Sequence, residues 1–143
     1  MTAPANYADF RALAARRLPH FLFEYFDGAA FDGITAERNE RDLSAVTLPQ
    51  RVLRDVPVQD LSTSLFGCNL DVPMIVSPVG LAGMAARRGE VQAARAAHSA
   101  GIAMCLSSSS ICPVDEVARV SAPWFQLYMT KDPAYVDRLI DRA

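Results

Sequence analysis

From Pro73 onward the chain alternates short apolar runs with helix signals, and no other feature constrains its fold so strongly. Met74-Ile-Val-Ser, residues 102–106 and residues 124–129 have the length and apolar content of buried strands. Residues 90–100 form an alanine-rich segment of high helix propensity, with Gly101 behind it as a C-terminal stop. Residues 114–120 follow Pro113 as a second helix, and Asp132 caps a third with Pro133 at its first position. A parallel neighbour can be reached only by a crossover, and a helix is the compact crossover, so this β-α-β-α-β-α order predicts a parallel sheet. The order alone leaves a barrel and a doubly wound sheet both open.

Residues 1–72 follow a different pattern. Asn6 followed by Asp9 is a capping signal, and Phe10, Leu13 and Ala14 then fall at helical spacing. Pro19 suits the first turn of a second helix running to about Phe26, with Phe21, Leu22, Tyr25 and Phe26 on a broad apolar face and Asp27-Gly28 as its end. Thr35 is placed to cap a third helix, with Glu37 to Arg41 on its polar side. Beyond it Pro49, Pro57, Gly67 and Asn69 punctuate short extended pieces, and Thr63-Ser-Leu-Phe-Gly-Cys-Asn-Leu has the form of a hairpin turning near Gly67. The expected organisation is one α/β domain, with a helical and hairpin cover over 1–72 and three β/α units over 73–143.

Composition narrows the function classes. Of 143 residues, 51% are hydrophobic and 21% charged, which supports a folded core rather than disorder. A formal net charge of −2 supplies no electrostatic attraction for nucleic acid. The basic pairs Arg16-Arg17 and Arg87-Arg88 read as solvated helix ends or loops. Cys68, Cys105 and Cys112 are odd in number and lack metal-ligand spacing, so they read as free buried thiols in a reducing compartment, with no metal site. The N-terminus shows no basic region followed by an apolar core, and the apolar runs fall far short of the ~20 residues a spanning helix needs. A cytoplasmic location is expected.

In a (β/α)8 barrel the ligand lies at the C-terminal ends of the strands. That rule selects Ser77-Pro-Val-Gly-Leu-Ala-Gly-Met84, Ser107-Ser-Ser-Ser110 and Gln126-Leu-Tyr128. Each mixes small and polar groups that let a ligand approach backbone and hydroxyls closely, and Gly80 and Gly83 favour that approach. Turn chemistry alone also explains any one of them.

Several motifs, in order, carry a resemblance. Phe23-Glu-Tyr-Phe-Asp-Gly-Ala-Ala30, the neighbourhoods of Glu37-Arg-Asn39 and Arg51-Val-Leu53, the run from Pro78 to Glu90, Leu106-Ser-Ser and Trp124-Phe-Gln-Leu-Tyr128 resemble the FMN-dependent 2-hydroxy-acid dehydrogenases and oxidases from about Tyr7 to the end. Gly-Met-Ala-Ala-Arg-Arg-Gly-Glu is most similar to the bacterial quinone-linked L-lactate dehydrogenases. The resemblance implies a TIM (β/α)8 barrel, of which this chain holds the N-terminal cover and first three β/α units, where a complete barrel takes about 250 residues. It implies FMN as cofactor, L-lactate or a similar 2-hydroxy acid as substrate, quinone as electron acceptor, a homo-oligomer, and peripheral association with the inner face of the cell membrane.

The same resemblance assigns site residues. Pro78, Val79 and Gly80 match the loop lying against the flavin ring, with Gly80 leaning towards a dehydrogenase. Ser107 matches a hydroxyl contact to FMN, and Gln126 a side chain that bonds the pyrimidine edge. Tyr25 and Tyr128 match two phenols near the substrate, Tyr25 on its carboxylate and Tyr128 at the flavin as well. The histidine base, arginine clamp, lysine and FMN phosphate site belong to the family's C-terminal half, so the base is expected beyond Ala143. His20 and His98 match non-catalytic positions. Three strands with an open edge are expected to fold poorly alone, and the chain alone is expected to be inactive. The alternatives are a non-catalytic truncated or barrel-completing subunit, and an oxidase acting on glycolate or mandelate.

Overall fold

The computed structural model describes residues 3–54 and 59–143, so Pro57 lies outside the described residues. The chain divides into two compact units, Met1–Pro57 and Val58–Ala143.

The first unit holds three helices, α1 (Tyr7–Arg17), α2 (His20–Asp27) and α3 (Ile34–Ser44). Asn6 caps α1 as its sequence predicts: its side chain accepts from the Asp9 amide at 3.0 Å, and the Asp9 carboxylate accepts from the Ala5 amide at 2.9 Å. Pro19 is the cap of α2 rather than part of its first turn, and its carbonyl accepts from Leu22 and Phe23. Of the broad apolar face on α2 only Leu22 is buried, while Phe21 and Tyr25 stay exposed. Thr35 does not cap α3. Gly33 does, because the chain enters the helix through a left-handed residue (φ 72°) that glycine adopts without strain. Thr35 therefore falls inside the first turn. Arg11 clamps Asp27 through two bonds of 2.5 and 2.6 Å, joining α1 to the end of α2.

The second unit opens with an antiparallel hairpin, β1 (Thr63–Leu65) and β2 (Cys68–Leu70). Phe66 and Gly67 both have positive φ, the two-residue turn whose twist suits paired strands. Asn69 marks no turn; it pairs with Ser64 inside the hairpin. The Phe66 ring meets Trp124 edge-on at 5.6 Å.

Three parallel strands follow in the order β3 (Ile75–Val76), β4 (Ala103–Ser107), β5 (Trp124–Gln126). Between β3 and β4 lie a short helix α4 (Ala82–Ala85), which no sequence signal marked, and α5 (Gly89–Ser99); α6 (Val114–Ala118) joins β4 to β5, and α7 (Pro133–Arg142) follows β5. Gly101, at φ 64°, ends α5, and the Asp132 side chain caps α7 by accepting from Ala134. The alternation predicted from Pro73 onward is thus an α/β arrangement with a parallel sheet.

Period-two alternation divides β4. Met104 and Leu106 are buried in a core with Val91, Ala94 and Ala97 of α5, Cys112, and Val117 of α6. Ala103, Cys105 and Ser107 therefore point to the opposite face. Burying Leu106, 1% exposed, is worth about 2 kcal/mol in transfer free energy. Arg88 pairs with Glu116 at 2.6 Å, and Arg142 pairs with Asp115, so α6 is tied to the start of α5 and to the end of α7. Arg88 is an exposed helix end, the N-cap of α5, as its sequence reads, and it makes this ion pair from there. The expectation of three buried thiols also needs correction: Cys112 is buried and Cys105 half-buried, but Cys68 is exposed because it flanks the turn of a two-stranded ribbon.

Candidate ligand site at the strand ends

The register of the sheet builds the site. Ser107 pairs directly with Gln126, so their side chains leave the sheet on one face, the face away from the α5 and α6 core. The Ser107 hydroxyl donates to Gln126 Oε1 at 3.2 Å and accepts from the Ser109 amide at 3.1 Å. That leaves the Gln126 amide group with two N–H donors and no acceptor among the described residues.

β5 ends at Gln126 instead of running to Met129, because β4 turns away at Ser107. Ser110 N–H closes that turn on Ser107 O at 3.0 Å, and Ser108 N–H reaches Gln126 O at 3.0 Å. With no partner strand left, Leu127 and Tyr128 leave as loop. Tyr128 is anchored by its amide, which donates to Ser108 Oγ at 3.1 Å, and its side chain is 56% exposed.

Pro78, Val79 and Gly80 follow β3 at the same end of the sheet, with Val79 exposed as an apolar surface. Leu81 comes next in the left-handed region (φ 57°), costing about 1 kcal/mol for a residue with a side chain. Its amide donates to Ser109 O at 3.0 Å, which ties the loop after β3 to the loop after β4. Tyr25 belongs to the first unit, where it is 56% exposed and stacks edge-on against Phe26 at 5.1 Å.

Glu90 carries a role that residue motifs did not reveal. It is 1% exposed, and its Oε1 accepts from the amides of both Gly83 and Ile111 at 2.9 Å. Oε2 is buried without a hydrogen-bond partner among the described residues. Burial opposes the charge, but donation from the backbone amides of Ile111 and Gly83 helps to outweigh it, and the carboxyl is held below its ordinary value. Burial, together with the facing Glu90 carboxylate, pushes the Cys112 thiol up. A sequence signal did exist: Glu90, Ala94 and Ala97 share one face of α5, so a charge sits on the apolar stripe.

His20 lies on the exposed surface of α2, 3.6 Å from Glu24, and His98 is exposed in the last turn of α5. Neither belongs to the strand-end cluster. No group of three or more potential metal ligands occurs among the described residues. The donors present suit a planar heterocycle with carbonyl groups on one edge: two free amide hydrogens on Gln126, a fixed hydroxyl beside them, and the apolar Val79 on the neighbouring loop.

A family model described as FMN-dependent dehydrogenase matches residues 14–143. The chain is 53% identical over 141 residues to an L-lactate dehydrogenase of Alcaligenes faecalis, a match that takes in 97% of this chain and 37% of the relative. Among solved structures, a lactate oxidase of Pediococcus acidilactici superposes with a TM-score of 0.87 at 28% identity, covering 99% of this chain and 40% of that one. An (S)-mandelate dehydrogenase described as a monotopic membrane protein superposes with a TM-score of 0.83 at 29% identity, covering 96% and 37%. The chain spans little more than a third of the length of the curated relatives it matches.

Proposed function

This chain belongs to the FMN-dependent dehydrogenase family, and from that premise we propose that the whole protein oxidises an L-2-hydroxy acid, L-lactate to pyruvate, with FMN as its cofactor. The observation that carries this reading is the Ser107–Gln126 pair at the ends of adjacent parallel strands, with the amide donors of Gln126 uncommitted among the described residues. The lactate-linked relatives support lactate over other 2-hydroxy acids.

In this reading the three β/α units are the first of an eight-unit barrel. Gln126 donates to the pyrimidine edge of FMN, Ser107 holds Gln126 in place and offers its own hydroxyl, and the Pro78-Val79-Gly80 backbone lies against the ring. Bound FMN supplies the two-electron acceptor for the carbon that passes from alcohol to ketone. Tyr25 and Tyr128 present exposed phenols, each able to donate to a substrate carboxylate or oxygen while its ring packs on apolar walls. The base that takes the substrate proton is not one of these residues, since His20 and His98 both stand outside the cluster. The 143 residues alone are proposed to be inactive.

Quinone as acceptor, a homo-oligomeric state and peripheral attachment to the inner face of the membrane extend the same proposal. No helix among the described residues is long and apolar enough to cross a membrane. A membrane-associated relative supports surface attachment. The superposition on a lactate oxidase supports a second reading, with oxygen as acceptor.

The test is purification of the full-length protein, release of its flavin by denaturation, and anaerobic addition of L-lactate. Bound FMN bleached by L-lactate is expected; a colourless protein that takes up no FMN rejects the proposal. Quinone-dye reduction without hydrogen peroxide release separates the dehydrogenase from the oxidase.

A further inference from the structure

We propose that Glu90 is a positioning residue for the flavin site: its buried carboxylate holds the loop after β3 and the loop after β4 in one frame by accepting the Gly83 and Ile111 amides on a single oxygen. The proposal rests on the assignment of the strand-end cluster as the FMN site.

Three observations support the clamp. First, the carboxylate is 1% exposed, has no cationic partner among the described residues, and leaves Oε2 without a hydrogen bond. A buried charge without a counter-ion is costly, and an apolar side chain would fill the same space more favourably. What the carboxylate supplies is a fixed acceptor that reaches two loops. Second, those loops are the ones that carry the site. Gly83 follows Pro78-Val79-Gly80 by three residues, and Ile111 directly follows the serine turn that runs from Ser107 to Ser110. The Leu81–Ser109 bond joins the same loops a second time. Third, the loops are pressed together at Gly83. A Cβ there would stand 2.7 Å from Ile111 Cβ and 2.8 Å from Glu90 Oε2, so no side chain fits between them. Glu90 reaches this junction from the first turn of α5, whose Val91, Ala94 and Ala97 are buried in the core, so the acceptor stands on a rigid base.

Three variants of the full-length protein test this. Glu90→Gln keeps an oxygen acceptor without the charge, Glu90→Ala removes the acceptor, and Glu90→Asp draws it back by one methylene. The readouts are FMN affinity of the apoprotein by fluorescence titration and amide exchange at Gly83 and Ile111. Glu90→Ala is expected to weaken FMN binding and to speed exchange at both amides by at least about tenfold, while Met104 and Leu106 stay protected. Glu90→Gln is expected to remain within about threefold of wild type on both readouts. Wild-type-like FMN affinity or intact protection in Glu90→Ala overturns the proposal, and so does a Glu90→Gln defect as large as that of Glu90→Ala. If Glu90→Ala does not fold, Glu90→Asp takes its place: a larger defect than in Glu90→Gln supports the clamp, and an equal or smaller one overturns it. Should wild-type protein bind no FMN, the site assignment fails separately, and amide exchange still decides whether Glu90 clamps the loops.

Discussion

Ser107 and Gln126 stand opposite one another on adjacent parallel strands, and the Ser107 hydroxyl donates to Gln126 Oε1 at 3.2 Å. The bond orients the glutamine so that its two amide hydrogens point away from the serine. Removing Ser107 Oγ frees the Gln126 side chain and also deprives the Ser109 amide of an acceptor. Ser107→Ala is expected to weaken FMN binding by about 1 kcal/mol, roughly fivefold, and Gln126→Leu to weaken it further. Flavin titration of the full-length apoprotein measures both. Unchanged affinity in the two variants would remove this pair from the cofactor site.

The Glu90 carboxylate predicts an acid limb in stability. Its folded value lies below the ordinary one, so the folded state binds its proton less readily than the unfolded chain. The stabilisation is fully present above the ordinary glutamate value of about 4.3 and is lost as pH falls from there through the lower folded value. Glu90→Gln cannot titrate, so its unfolding midpoint should fall less steeply than wild type over that window. Urea titrations at a series of acid pH values provide the comparison, and parallel curves would contradict it.

Leu106 is the largest buried aliphatic side chain in the sheet, in a core with α5 and α6. Leu106→Ala is expected to cost about 2–5 kcal/mol, read from the shift of the urea midpoint at unchanged slope. The cavity lies on the helix face of β4, opposite Ser107, so flavin affinity at low denaturant should change little.

The three thiols differ in access. Cys68 is exposed, whereas burial pushes the Cys105 and Cys112 thiols up and keeps them protonated. A thiolate-specific reagent should therefore modify Cys68 quickly, Cys105 slowly, and Cys112 only on unfolding. Mass spectrometry of timed samples distinguishes them. Rapid labelling of Cys112 in native protein would contradict the buried placement.

Much of this molecule is legible in its sequence. Asn6 and Asp132 cap helices where their side chains predict, Gly101 ends α5, and Phe66-Gly67 turns the hairpin. Each is decided by contacts within a few residues, so the local sequence carries the information. The candidate strand ends could also be read, because loops after parallel strands collect at one end of a sheet.

Other features depended on the path of a distant segment. Thr35 has a good capping side chain, yet Gly33 takes the position because the turn before α3 needs a left-handed residue. Residues 127–129 have strand composition, yet β5 stops at Gln126, since β4 turns away at Ser107 and no backbone partner remains. Most plainly, residue type places Glu90 near the start of a helix as a favourable dipole partner, while the fold buries it between two loops. The amides of residues 83 and 111 meet one oxygen there, because the β-α crossover brings together segments 28 residues apart. The sequence by itself determined the family, the order of the elements apart from the short α4, and the residue types at the strand ends. Tertiary structure alone decided which polar groups those residues meet, because a hydrogen bond needs its partner within about 3 Å and only the packed loops create that proximity.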